Sequence, residues 1–214
     1  MIIAVDGPAG SGKSTIAAAL AERLAVSHVD TGAMYRALAL KVLRNALSPG
    51  SEADVTSMLA GTEIEVGNGG VLLDGEEVSG SIRSPEVTAA SSRVAEHQPV
   101  RTWMVDRQRR VVHAAPGGAV VEGRDIGTVV LPDADLKVYL TASEEQRARR
   151  RSLQRGATED EARREVSSRD ARDTAREHSP LRPADDAVVI DTTALTIPEV
   201  VDAVLSAMNE RTTL

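Results

Sequence analysis

The sequence contains no cysteine and no phenylalanine, and aromatic residues make up 1% of its 214 positions, with one tryptophan (Trp103) and two tyrosines (Tyr35, Tyr139). Without cysteine there is no disulfide, no thiolate nucleophile and no Cys-liganded zinc or iron–sulfur centre. The four histidines (His28, His97, His113, His178) are scattered without metal-ligand spacing. The scarcity of rings argues against a protein that binds single-stranded nucleic acid by stacking its bases, so a recognised base must be read mainly through hydrogen bonds. Lysine is scarce as well: only Lys13, Lys41 and Lys137 stand among 25 basic residues, the rest being arginine. No apolar run approaches the ~20 residues of a membrane-spanning helix, and the N-terminus lacks the basic-then-apolar pattern of a secretory leader. These absences predict a soluble, cytoplasmic chain with no membrane or nucleic-acid partner. With no coiled-coil pattern, a monomer is the default.

What is present is an aliphatic protein, 42% hydrophobic and 27% charged, with a formal net charge of −7. That charge gives no overall gain from counterion release along a nucleic-acid backbone. A small polyanion is a different partner, because a few converging arginines can grip phosphate bidentately whatever the global charge.

The hydrophobic pattern alternates short apolar runs with helical periods. Residues 2–5 and 119–121, Leu136–Leu140 and 187–191 read as buried strands. Helices are predicted from Ser14, where Ile16, Leu20 and Leu24 recur every four residues, from about Gly32 to Leu47, over 85–114 with a break at Pro99, over 143 to about 177, and over 197–210. Between about 62 and 80 the period becomes two, interrupted by Gly67-Asn68-Gly69-Gly70 and Asp74-Gly75, which predicts a small antiparallel hairpin insert. Strands separated by helices imply an α/β fold with a mostly parallel sheet.

Residues Gly7-Pro8-Ala9-Gly10-Ser11-Gly12-Lys13-Ser14 fit G-x-x-x-x-G-K-[ST], between an apolar strand and an amphipathic helix. Glycines there let successive backbone N–H groups curl around phosphate, the helix start adds a positive dipole end, and Lys13 brings a compact charge. Ser14 or Thr15 can offer a hydroxyl to Mg²⁺. Neither the N-K-x-D nor the D-x-x-G tetrapeptide of a GTPase occurs, so a small ATP-dependent kinase is the natural class.

Three polar clusters follow predicted strands, where ligands of parallel sheets bind: Asp30-Thr31-Gly32 with Arg36 one turn on, Glu122-Gly123-Arg124-Asp125, and Asp191-Thr192-Thr193. Thr31 is equally suited to capping a helix. Arg36 and Arg124, delivered from two loops, suggest a phosphate clamp. The region 144–182 is rich in arginine, and Glu145/Arg149, Glu159/Arg163, Asp160/Arg164 and Glu165/Arg169 have the spacing of solvated helix pairs. Arg150, Arg151 and Arg155 have no such partner. Arg169, Asp173 and Arg176 share one face, which fits either a phosphate-and-sugar clamp or a surface ion-pair ladder.

The segments DGPAGSGKST, DTGAMYR, VSGSIRSPEV, EGRDIGTVVLPDA, ASEEQRARRR and RDARD, in that order, resemble the bacterial cytidylate kinases over about residues 2–195. The resemblance implies a P-loop kinase core (1–60, 116–142 and 186–214), a monophosphate-binding insert (about 61–115) and an Arg-rich helical lid (about 143–180) in a single nucleoside monophosphate kinase domain. It implies transfer of the γ-phosphoryl group of ATP to CMP, and to dCMP, with Mg²⁺. ATP would be held by residues 7 to 15 and Arg147, with Lys13, Arg124, Arg150 and Arg151 acting on the transferred group. CMP would be held by Thr31, Arg36, Ser92, Arg101, Arg124, Asp125, Arg169, Asp173 and Arg176. The competing expectations are a small P-loop kinase with another acceptor, or a nucleotide-responsive binding protein.

Overall fold

In the computed structural model, which describes residues 1–67 and 70–212, the elements in chain order are β1 (Ile2–Asp6), α1 (Lys13–Leu24), β2 (Ser27–Asp30), α2 (Thr31–Arg44), α3 (Glu52–Leu59), β3 (Ile64–Gly67), β4 (Gly70–Leu73) and β5 (Glu76–Glu77), followed by α4 (Pro85–Val94), α5 (Gln98–Ala114), β6 (Ala119–Glu122), β7 (Leu136–Thr141), α6 (Glu144–Arg155), α7 (Glu159–Thr174), β8 (Val188–Asp191) and α8 (Ile197–Thr212). They divide into two compact units, Met1–Val26 with Gly117–Leu214, and Ser27–Pro116. Residues 27–60, grouped by the sequence with the core, therefore lie in the second unit.

In the first unit the strands run in the order β6-β1-β7-β8, all parallel, with Ile3 opposite both Val120 and Leu136. The apolar run 2–5 is explained by this position: β1 has a strand neighbour on each side, and Ile3, Ala4 and Val5 are wholly buried. Ile16 and Leu20 of α1 and Val200 and Val204 of α8 pack with Ile3, Val120, Leu136 and Leu140 in one aliphatic core.

The Arg-rich region is two helices rather than one. Gly156 adopts a left-handed conformation (φ 63°) that ends α6, and Thr158 and Glu161 form a reciprocal capping box that starts α7. Glu122-Gly123-Arg124-Asp125, expected as a loop, leads directly into a π-helical turn, Ile126–Val130.

The second unit is built on α2, whose Met34, Leu38 and Val42 share a core with Val94 of α4 and Met104 of α5. The expected break at Pro99 is real, with Pro99 in the first turn of α5. The predicted hairpin is an antiparallel three-stranded sheet in the order β3-β4-β5, where Gly67 pairs with Gly70. Asn68 and Gly69, the expected turn residues, lie outside the described residues. Helix α3 was not anticipated: it is capped by Ser51 and buries only Val55 and Leu59, too few positions to display a period.

Candidate active site

The phosphate loop joins β1 to α1 with little slack. Gly7 has φ 148° and a Cβ there would lie 2.1 Å from the Leu140 carbonyl oxygen, so the loop leaves the sheet where only glycine fits. Helix α1 begins at Gly12 in a left-handed conformation, with no side-chain cap and no acidic residue in its first turn. Its first amides are thus left for an anion rather than answered by a carboxylate. Lys13 folds across the loop, its Nζ donating to the Pro8 carbonyl at 2.7 Å. Ser14 Oγ donates to the buried Glu122 carboxylate at 2.6 Å, and Ser14 and Thr15 are both exposed.

Around the loop stands a group of cations with few anions. Arg124 donates to the Gly7 carbonyl at 2.6 Å and pairs through Nε with Asp173 at 3.1 Å. Arg176 pairs with the same carboxylate, whose side chain is 1% exposed. The surface-ladder reading of this face is therefore excluded, because Asp173 is one of the most buried acids in the chain. Burial works to raise the Asp173 pKa and is outweighed by Arg124, Arg176, Arg169 and Lys13 together, so it is held below its ordinary value. The Lys13 ammonium is pulled well down, first by burial and then by Arg124, with Glu122 opposing and Arg169 adding to the effect. Burial is the main cause, and the nearby Arg124 and Arg169 guanidiniums add positive potential that a phosphate chain would relieve.

Asp6 braces the opposite side. Its two oxygens accept from the Ile126 and Gly127 amides at 2.9 and 2.7 Å, fixing the π-helical turn that follows Arg124 and Asp125. Burial pushes Asp6 up to about 6, against the lowering by these two amides. Asp125 is buried, and its carbonyl accepts from Val129 and Val130.

Arg147, Arg150, Arg151 and Arg155 are all engaged. Arg150 donates to Thr192 at the hydroxyl (2.9 Å) and the carbonyl (2.6 Å), and buried Thr192 lies within 3.1 Å of the Ser11 carbonyl. Arg151 and Arg155, left without helix partners by spacing, both pair with Glu165, at 2.6 and 3.5 Å. Glu165 thus reaches across to α6 rather than only along its own helix to Arg169. Arg147 donates to the Ala9 and Ala142 carbonyls and pairs with Asp170.

In the second unit, Asp30 rather than Thr31 caps α2: Oδ1 accepts from the Ala33 amide at 2.9 Å and Oδ2 pairs with Arg36 at 2.7 Å. Thr31 is buried at the first helical position, which removes its capping role. Arg101 is buried, donates to the Ala95 carbonyl at 3.3 Å and lies 5.9 Å from the Tyr35 ring centre. Ser91 and Ser92 are both buried, but Ser91 turns its hydroxyl back to the Thr88 carbonyl of its own helix at 2.8 Å.

Lone carboxylates were what the sequence hid. Asp6 and Asp170 stand within the segments DGPAGSGKST and RDARD but drew no role of their own, and Thr192 was visible only as part of a polar cluster after a strand.

The family model for cytidylate kinase matches residues 3–210. Curated cytidylate kinases from Desulfitobacterium hafniense, Geobacter sulfurreducens and Streptomyces griseus are 49%, 46% and 46% identical, covering 98%, 99% and 96% of this chain and 93%, 94% and 91% of theirs. An uncharacterized protein from Eubacterium ventriosum shares the fold, with a TM-score of 0.57 at 13% identity over 98% of each chain.

Proposed function

The chain belongs to the cytidylate kinase family, and from that premise we infer that it transfers the γ-phosphoryl group of ATP to CMP, giving ADP and CDP. The observation that carries this reading is the geometry of the phosphate loop: α1 starts at the uncapped, left-handed Gly12, Lys13 lies across the loop, and Arg124 reaches the Gly7 carbonyl. CMP brings a phosphate monoester whose second pKa is about 6. It is already a nucleophilic anion at neutral pH, and no general base is required. Catalysis then consists of positioning and charge stabilisation.

In this proposal residues Gly7 to Thr15 and Arg147 hold ATP, and Lys13, Arg124, Arg150 and Arg151 act on the transferred group. Arg36, Arg124 and Arg176 take the phosphate of CMP, Arg169 and Asp173 its ribose and phosphate, Thr31 lies near the nucleotide, and Ser92, Arg101 and Asp125 read the cytosine edge. The back-bonded hydroxyl of Ser91 supports Ser92 as the reader. dCMP is the second acceptor. The segments named above act as one nucleoside monophosphate kinase domain, cytoplasmic and monomeric; no helix among the described residues is long and apolar enough to cross a membrane.

Mg²⁺ would enter with ATP, since no group of three or more His, Asp or Glu among the described residues could hold a metal alone. The Ser14 hydroxyl, hydrogen-bonded to the Glu122 carboxylate, is a hard oxygen pair of the kind that suits it. Bound there, the ion supplies charge neutralisation for the phosphate oxygens.

The test is a coupled assay with ATP and a panel of nucleoside monophosphates. CMP and dCMP should be the preferred acceptors; equal use of AMP, UMP and CMP would contradict the base-reading assignment.

A further inference from the structure

Asp170 has no part in the phosphoryl-transfer scheme, yet it touches the phosphate loop. Its Oδ1 accepts the Ala9 amide at 3.0 Å, and its Oδ2 pairs with Arg147. The same Arg147 guanidinium donates to the Ala9 carbonyl at 3.2 Å and, through Nε, to the Ala142 carbonyl at 3.1 Å. One residue of the loop is therefore held at both its N–H and its C=O by a single ion pair. The neighbouring Gly10 shows how close this packing is, since a Cβ there would stand 2.8 Å from the Arg147 carbonyl oxygen.

An isolated carboxylate beside a phosphate loop would repel a triphosphate. Here Arg147 neutralises it, so what the pair contributes is geometry rather than charge. Its position is equally informative. Asp170 lies on α7 one turn before Asp173, the carboxylate that gathers Arg124 and Arg176. The same helix thus grips the donor loop with one acid and the arginines assigned to the acceptor with the next.

We infer that Asp170 is a positioning residue for the phosphoryl donor: with Arg147 it clamps Ala9 and locks the phosphate loop to α7, so that the loop is set before ATP arrives. This rests on the phosphotransferase reading above. A loop ordered in advance spares ATP the entropy of ordering it, and the benefit should appear in donor affinity and leave acceptor affinity alone.

The experiment compares Asp170→Ala, Asp170→Asn, Arg147→Ala and the double variant Asp170→Ala/Arg147→Ala by direct binding of ATP without acceptor, by steady-state KM for ATP and for CMP, and by thermal unfolding. Removing one charge-assisted hydrogen bond predicts a rise of about tenfold in the ATP Kd and KM for Asp170→Ala, with the CMP KM within about twofold and Tm little changed. Asp170→Asn keeps an oxygen for the Ala9 amide but turns an amide NH2 toward Arg147, so it should recover only part of the loss. The double variant should bind ATP no worse than Arg147→Ala alone, because the two side chains act as a unit. Unchanged ATP affinity in Asp170→Ala, or equal losses for ATP and CMP with a lowered Tm, overturns the inference. A wild-type protein that binds ATP but leaves CMP unphosphorylated overturns the kinase reading alone, since the binding comparison needs no acceptor.

Discussion

At the scale of single residues, the site is a balance between a few acids and many bases. Asp173 is the pivot: its side chain is 1% exposed and it pairs with Arg124 and Arg176. Asp173→Ala would leave buried guanidiniums facing one another, a change of about 3–5 kcal/mol when one partner of a buried pair is removed. In a chain of this length that corresponds to a fall of about 10 °C in Tm, measurable by circular dichroism, together with loss of CMP phosphorylation. Lys13 behaves differently. It is held by its own loop rather than by a buried carboxylate, so Lys13→Ala should leave Tm nearly unchanged while lowering turnover by orders of magnitude; near-normal turnover would refute the mechanism. The sequence showed Lys13 and its loop plainly, because glycine spacing and a terminal lysine are a pattern only one chemistry requires. It left open whether Thr31 caps α2, since Asp30 and Thr31 are both good caps and only the backbone decides between them. Asp6 and Asp170 lie inside DGPAGSGKST and RDARD, but their roles could not be read there, because each depends on backbone amides far away in the chain that only the fold brings to it.

At the scale of elements, the long helices and buried strands were legible because burial imposes a period on many positions at once. Short or irregular elements were not. Helix α3 exposes most of its surface, and the π-helical turn after Asp125 depends on two amides bonding to Asp6, 120 residues earlier in the chain. The division between α6 and α7 was readable in principle from Gly156 and Thr158-x-x-Glu161, but arginine richness masked it. Gly7 offers a sharp element-level test. Its φ of 148° and the 2.1 Å approach to Leu140 predict that Gly7→Ala separates β1 from β7 and destabilises the protein by several kcal/mol, on the order of the strain and overpacking terms. Gly61→Ala, with nothing within 4 Å of its added Cβ, is the control and should fall within about 0.5 kcal/mol of wild type in urea unfolding.

At the scale of the whole molecule, stability should depend on pH through Asp6. Its pKa is raised from 3.8 to about 6 by burial, so the native state keeps a proton that the unfolded chain releases near 3.8. This contribution is fully present below the unfolded value and is lost as pH rises through about 6, because the unfolded state binds fewer protons in that window. Urea titrations of wild type and Asp6→Asn at pH 5 and 7.5 should show the wild type losing about 1 kcal/mol relative to the variant on going to the higher pH; no difference in slope would contradict the assignment. The two-unit division, unlike the fold class, was not legible in the chain, because no Pro/Gly/Ser linker marks residues 26/27 or 116/117. It nevertheless leaves an optical handle. The only indole, Trp103, packs against the core of the Ser27–Pro116 unit with the Arg107 guanidinium 3.4 Å from its ring centre. Selectively excited emission therefore reports on that unit alone, whereas far-ultraviolet dichroism sums both, and overlaying the two melting curves reads directly whether the halves lose structure together or in succession.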